Sequence, residues 1–256
     1  MSKAVAGDIN GDGMYTVEDQ YGMTWIVDVP EGLINAAGIR YGTLDSSGHL
    51  QITYDTEQAI STMQRVYDFI SNTQLYFNVH MRSAQPFIDE VGMFASGRVL
   101  CSIAGVYYAP QFREMEDNFG IIPLPKLDSS QDNYYSPLFS NIIPILIVPK
   151  TNSEFEETGA VLTMMAYLGR RDMYPALYDN LLQGKITRDE NSNAMLDLLF
   201  ENTFYDPGII FFNLVKDSIR NIYMNFSGEF VSTLTKTQKA TQKVISDLEE
   251  IMMENN

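Results

Sequence analysis

Cysteine occurs once in the 256 residues, tryptophan once and histidine twice. The single Cys101 excludes an internal disulfide framework and any cysteine-based zinc site. It lies in an apolar run, Val99-Leu100-Cys101-Ser102-Ile103, and reads as a small buried hydrophobe; a nucleophilic thiol would want a histidine beside it. His49 and His80 both sit in polar, loop-like stretches, which leaves little for general-base work near neutral pH. A Gly-x-Ser-x-Gly elbow, a histidine pair at metal-ligand spacing and a phosphate-cradling glycine loop are all missing. Carboxylates are plentiful, so a glycoside-acting enzyme with an acid pair survives as the weaker alternative, without a local constellation to support it. The sequence points to binding without catalysis.

Positive charge is also scarce, with 17 basic residues against 33 acidic and a formal net charge of −16. Such a surface repels phosphate backbones, and no Lys/Arg stripe reverses it, so nucleic acid is not an expected partner. The acidic balance suits a neutral or cationic ligand and equally serves solubility. No apolar run approaches the roughly 18 residues of a membrane-spanning helix. Met1-Ser2-Lys3-Ala4 runs straight into an acidic loop with no basic-then-apolar leader, so export is not expected of the sequence as it stands. With 45% hydrophobic and 20% charged residues, the composition is that of a soluble globular protein. Its length allows one large or two small domains.

Asp8-Ile9-Asn10-Gly11-Asp12-Gly13-Met14-Tyr15-Thr16-Val17-Glu18-Asp19 follows the twelve-position calcium-loop pattern. Ca²⁺ takes about six to eight hard oxygens. Asp8, Asn10 and Asp12 supply side-chain oxygens at positions 1, 3 and 5. Gly13 permits the sharp turn, Met14 offers its carbonyl, Thr16 ligates directly or through water, and Asp19 closes the shell. Asp at position 12 reaches less far than the usual Glu. Together with the absence of room for flanking helices, this favours a static structural calcium ion over a sensor switch. An ion-free polar turn of Asp-Gly repeats is the alternative. The loop resembles those of dockerin modules, which also close on Asp, but dockerins carry two such loops and this sequence has one.

Beyond the loop, strands and helices interleave and a helical end follows, which argues for an α/β fold. Tyr21 to Val29 reads as a strand broken at Pro30 and Gly32, with a small apolar segment from Leu33 to Tyr41. Thr43 to Ile52 reads as a hairpin closed by Asp45-Ser46-Ser47-Gly48. Ile60, Met63, Val66, Tyr67 and Ile70 predict a helix capped by Asp55 or Thr56. Further helices are expected at 86–95 and 109–116. Strands are expected at 98–106, 119–122 and 141–148, with a polar linker at 126–135. Ser153 with Glu156 and Thr187 with Glu190 read as capping boxes for helices ending near 169 and 203. Helices over 208–224 and 231–253 complete the pattern, the last amphipathic.

Four stretches in order resemble the extracellular solute-binding proteins of bacterial ABC importers, in the carbohydrate-type group (family 1). They are the calcium loop running into Tyr21-Gly22; Met93-Phe94-Ala95-Ser96-Gly97-Arg98; Phe119-Gly120-Ile121-Ile122-Pro123-Leu124-Pro125-Lys126; and Tyr178 to Asp206, with Gly184-Lys185-Ile186-Thr187-Arg188-Asp189-Glu190 and Phe204-Tyr205-Asp206. The resemblance covers roughly the C-terminal 60% of such a receptor. It implies a type II periplasmic-binding-protein-like fold, mainly the C-terminal lobe plus the helical return segment of an incomplete N-terminal lobe. Residues 1–136 and 205–256 would form the C-terminal lobe, and 137–204 would belong to the N-terminal one. Tyr134 to Leu138 and Phe204 to Pro207 would be hinge crossings, with Pro207 stiffening the second. It further implies an oligosaccharide or other small solute, an ABC permease as partner, and an extracellular lipoprotein whose lipid anchor belongs to the full-length parent.

The same resemblance places Gly105-Val106-Tyr107-Tyr108 at a strand end facing the ligand cleft. Independently of it, aromatic faces stack on the C–H faces of sugars, and a tyrosine hydroxyl adds a hydrogen bond. Trp25 and the pair Tyr134 and Tyr135 are further platform candidates; core or surface packing is the alternative for each. Arg98 reads as a partner of nearby acids more than as a cleft residue. A calcium-stabilised surface adhesion or scaffold module with no small ligand is the alternative function.

Overall fold

The computed structural model describes residues 1–138, 146–178 and 190–254. In chain order the elements are α1 (Ser2–Val5), β1 (Tyr21–Trp25), α2 (Val29–Ala36), β2 (Gly42–Leu44), β3 (Leu50–Ile52), α3 (Glu57–Ile70), β4 (Tyr76–Asn78), α4 (Val79–Arg82), α5 (Pro86–Ala95) and β5 (Val99–Ser102). A 3-10 turn (Val106–Phe112) and β6 (Ser136–Pro137) follow, then α6 (Phe155–Leu168), a π turn (Gly169–Met173) and α7 (Tyr174–Leu177). The last elements are α8 (Glu190–Glu201), β7 (Thr203–Phe204), α9 (Pro207–Phe211), α10 (Asn213–Asn225) and α11 (Phe230–Glu254).

The centre is a parallel sheet in the order β4-β1-β5, with Thr24 of β1 opposite Phe77 on one side and Ser102 on the other. Parallel neighbours need crossover connections, and α2, α3 and α5 lie in those crossovers. All five residues of β1 are buried, as expected of a parallel strand covered on both faces. The larger core gathers Trp25 of β1, Ile34, Met63, Ile70, Val215, Tyr223 and Phe230 from α2, α3, α10 and α11, and Tyr54 and Phe212 from the connections between elements. Tyr21, Phe77, Val79, Met93 and Val99 form a second cluster, against which Tyr15 and Val17 of the expected calcium loop pack.

Several expectations differ in detail. Pro30 does not break the chain but begins α2, where its missing N–H is no loss. The hairpin β2–β3 forms as read, Asp45 accepting the amides of Ser47 and His49 at 2.8 and 3.0 Å. Thr56 caps α3 through the amide of Ala59 at 3.1 Å. The Ser153 capping box does not form: Ser153 bonds the Glu154 carboxylate and Glu154 itself precedes α6. The Thr187 box, residues 141–145 of the expected strand and most of the Gly184 to Glu190 stretch lie outside the described residues. Residues 119–122 and 146–148 are not strands. The helix expected over 208–224 is two, α9 and α10, parted at Phe212. Cys101 is exposed and not a buried hydrophobe, because β5 lies at the sheet's edge among the described strands.

Candidate functional site

The loop from Asp8 to Asp19 closes on itself through its own side chains. Asp8 accepts the amides of Gly11 and Gly13 at 2.7 and 2.8 Å, and Asp12 accepts that of Met14 at 2.7 Å. Asn10 accepts the amide of Asp12 at 3.0 Å and donates to its carboxylate at 3.1 Å. Asp19 is fully buried and takes Ile9 N on one oxygen and Thr16 N and Oγ1 on the other. The Thr16 amide above all holds its carboxyl below the usual range. Gly13, at φ 79°, supplies the left-handed turn that L side chains resist.

Two arginines then fasten the loop to the sheet, Arg82 donating to Tyr15 O and Arg98 to Val17 O at 2.6 Å. Arg98 therefore serves the Val17 carbonyl and the Ser96 hydroxyl, not the acids expected of it. The donor set is hard oxygen throughout, as Ca²⁺ requires. Among the described residues, however, no three His, Cys, Asp or Glu side chains converge at metal distance. The carboxylates are spent on backbone amides first.

The tyrosine pair lies at the other end of the sheet. Tyr107 and Tyr108 begin the 3-10 turn that follows β5, with ring centroids 4.8 Å apart. Tyr107 is 58% exposed and Tyr108 only 4%, so one ring is presented and the other is its backing. A Cβ on Gly105 would meet the Tyr107 ring at 2.3 Å, so the glycine makes room for that ring. Near Tyr108 lies an acid that was not singled out from sequence. Glu90 of α5 is buried and accepts the Ser102 hydroxyl at 3.0 Å, while its other oxygen has no partner. Burial pushes its carboxyl up to about 7. Burial first, and then Glu90, raises the Tyr108 phenol. Trp25 is corrected outright: it is fully buried in the main core and presents no face to a ligand.

Tyr134 and Tyr135 sit beside the expected crossings. Lys126 lies 4.7 Å from the Tyr134 ring centroid, and Tyr135 packs edge-on against Phe204 at 5.8 Å. The two crossing segments run side by side, β6 pairing parallel with β7 through Ser136 opposite Thr203 and Pro137 opposite Phe204. Arg40 lies over both rings, 3.3 Å from the Phe204 centroid and 5.1 Å from that of Tyr135. Buried Asp206 then ties the chain after β7 to the start of β2. It accepts the amides of Tyr41, Gly42 and Gly208 at 2.6, 3.2 and 2.8 Å. Burial nevertheless leaves its carboxyl raised. A Cβ on Gly208 would strike Gly42 N at 2.2 Å, so backbone meets backbone here.

Arg40 and Asp206 were not singled out from sequence; the Phe-Tyr-Asp stretch marked the place but not the partners. Leu196 of α8 is buried beside Ala109, with Phe119 and Ile121 against them. Helix α8 thus packs on the stretch that follows the tyrosine pair.

No protein-family model matches the sequence. A 134-residue stretch, 52% of the chain, is 26% identical to 6% of the COPII coat assembly protein sec16 of Aspergillus oryzae, too small a share to carry its function across. Solved structures match far more of the chain. An ABC substrate-binding protein of Listeria monocytogenes in complex with cycloalternan superposes with a TM-score of 0.56 at 9% identity, covering 96% of this chain and 63% of that one. The maltose/maltodextrin-binding domain MalE of Bdellovibrio bacteriovorus bound to maltotriose gives 0.54 at 15% identity, covering 97% and 64%. MalE of Listeria monocytogenes in complex with maltose gives 0.55 at 14%, covering 89% and 60%. The chain therefore has the α/β fold of periplasmic-binding-protein-like substrate-binding proteins, and spans less than two thirds of the length of each.

Proposed function

We propose that this chain is part of an extracellular solute receptor for an ABC importer, and that its solute is an oligosaccharide. The observation that supports this most is the presented Tyr107 ring, backed by Tyr108, just beyond the carboxyl end of β5 in a parallel sheet. Open α/β sheets take ligands in the crevice outside the carboxyl ends of their strands. An exposed aromatic face there suits the apolar face of a sugar ring. The paired crossings β6 and β7 fit a protein of two lobes, with residues 1–136 and 205–256 in one and 137–204 in the other. Solute that touches both lobes shifts the population toward a closed pair, which the permease recognises. A lipid anchor on the full-length parent would hold the receptor at the cell surface. Nothing in this scheme makes or breaks a covalent bond.

Calcium has a structural part in the same proposal. Asp8, Asn10, Asp12, the Met14 carbonyl, Thr16 and Asp19 would hold the ion, which supplies charge that draws the loop's oxygens together. The loop stands at the opposite end of β1 from the solute, so the ion stabilises without touching the ligand.

Calorimetric titration of maltotriose, maltose and cycloalternan into the 256-residue chain and into Tyr107→Ala tests the proposal. Weak binding is expected for the chain, since one lobe offers only part of the contacts, and none for Tyr107→Ala. Tight binding by the chain would contradict a site shared between two lobes. Binding unaltered by Tyr107→Ala would move the site away from the tyrosine pair.

A further inference from the structure

Helix α5 holds the stretch that carries Tyr107 and Tyr108 at two points. Glu90 accepts the hydroxyl of Ser102, the last residue of β5, at 3.0 Å. Phe94 packs edge-on against Phe112, the last residue of the 3-10 turn, with ring centroids 4.9 Å apart. Residues i and i+4 are neighbours on one face of a helix, so both holds come from the same side of α5. Between them lie the two tyrosines and Gly105, whose carbonyl accepts the Tyr108 amide at 2.9 Å. The Phe94 hold is apolar and indifferent to pH. The Glu90 hold is not.

Glu90 is 1% exposed, and its second oxygen is buried without a partner. A neutral carboxyl tolerates this, because one oxygen accepts from Ser102 and the other carries the proton. An ionised carboxylate does not: a buried charge with one donor moves toward water or draws water in. Burial raises the group to about 7, opposed by the Ser102 hydroxyl.

The titratable groups on the elements packed against α5 have other engagements. On α5 itself Asp89 accepts the Ser83 hydroxyl. On α4, Arg82 donates to Tyr15 O and Thr73 O, and burial lowers His80, opposed by Asp28. On β5, Cys101 donates to Gly22 O at 3.3 Å, and burial pushes its thiol up. Arg98 before β5 serves Val17 O, and Arg113 after the turn is not among the groups that shift Glu90. Tyr108 feels the Glu90 carboxyl, and its raised phenol stays neutral through the range in which Glu90 titrates.

We propose that Glu90 is the positioning residue of the tyrosine pair: neutral, it holds the end of β5 so that the Tyr107 ring is presented, and ionised, it lets that stretch go. Solute capture through Tyr107 is then coupled to uptake of a proton around neutrality. That consequence rests on the functional reading above, whereas the release of the stretch does not.

Amide hydrogen exchange reads the release without any solute. The 256-residue chain is followed by mass spectrometry from pH 6 to 8.5, each rate divided by the intrinsic rate at that pH. With Glu90 at about 7, roughly one chain in ten is ionised at pH 6 and nearly every one at pH 8.5. Peptides over 102–112 should therefore gain about tenfold in corrected rate while β1 stays flat. In Glu90→Gln the gain should vanish, with exchange held at the parent's pH 6 level. Ser102→Ala keeps the acid and removes its bond, so it should exchange fast already at pH 6; it decides the matter if Glu90→Gln does not fold. A flat profile in the parent would overturn the proposal, as would Ser102→Ala exchanging as slowly as the parent at pH 6. A rise that persists in Glu90→Gln would overturn it too, and would hand the effect to another group such as His80. Calorimetric titration of maltotriose should show affinity at least about fivefold weaker at pH 8 than at pH 6 in the parent, and equal at both in Glu90→Gln. Sugar affinity that ignores pH while the stretch loosens would overturn the positioning role. Failure of sugar to bind at either pH would sink the functional reading instead and leave the exchange profile to decide on Glu90.

Discussion

Helices α3 and α6 are both 14 residues long, yet they have opposite fates. Helix α3 buries Ala59, Thr62, Met63, Val66 and Ile70 along one stripe and turns Glu57, Gln64, Arg65 and Asp68 outward. Helix α6 is the more apolar of the two and buries nothing. Pattern, not content, decides what a chain of this length can cover by itself: a stripe needs one neighbour, whereas an apolar cylinder needs a shell. The helices around the parallel sheet have their stripes matched, and α6 does not.

The largest loss is expected on the closed side of that contrast, at the joint between the chain after β7 and the start of β2. Asp206→Ala strands the buried amides of Tyr41, Gly42 and Gly208 and should lower unfolding free energy by about 3 kcal/mol or more in urea. Asp206→Asn, which keeps an acceptor, should lose less. A loss within about 0.5 kcal/mol for Asp206→Ala would mean that the tie is not structural.

Next comes the pair of helices themselves. Met63→Ala should cost about 3 kcal/mol, because it opens a cavity in a closed core. Met165→Ala in the 256-residue chain should stay within about 0.5 kcal/mol. Equal losses at the two sites would erase the distinction.

Glu90 sharpens the contrast by charge. Its folded pKa of about 7 lies above its ordinary 4.5, so its carboxyl favours the fold fully below about pH 4.5. That contribution is lost as pH rises through 7. Glu90→Gln should therefore match the parent near pH 4 and exceed it by roughly 3 kcal/mol at pH 8. Glu31, also raised to about 7 by burial and then by Asp28, is common to both proteins and drops out of the difference. A pH-independent difference would place the Glu90 effect in packing.

Calcium should give the smallest change. At tenfold excess over Kd it adds about 1.4 kcal/mol, so chelation should lower Tm by a few degrees. Identical melting in chelator and in millimolar Ca²⁺ would leave the loop to its backbone hydrogen bonds alone.

What the sequence made legible follows from how local each signal is. Thr56, the Asp45 to Gly48 turn and the stripe of α3 act within one turn of chain, and they form where expected. Strand β4 was missed because three residues, Tyr76 to Asn78, carry no alternation and become a strand only by pairing with β1. Ser153 failed as a cap because its hydroxyl donates to the Glu154 carboxylate, while Asn152 accepts the Glu154 amide. In the candidate site, Tyr107 and Tyr108 were legible as a pair of rings, but their unequal exposure was not. Trp25 looked like a platform because rarity attracts notice, and rarity says nothing of burial. Arg40 and Glu90 depend on partners far away in sequence or on depth in the fold, which no window of residues reports.

The contact of Gly208 with Gly42 has a mechanical consequence. With no side chain between them, and Asp206 bonded across the same joint, the backbone at 206–208 is held fast against Tyr41 and Gly42 at the start of β2. The first compliant backbone on that side lies in β7, and its mate is β6, two residues against two. A pair of parallel strands that short, clamped at one end, behaves as a torsion bar: it yields to twisting far more readily than to stretching. In the two-lobe proposal, motion passed through such a bar would be rotation about an axis along Ser136–Pro137 and Thr203–Phe204.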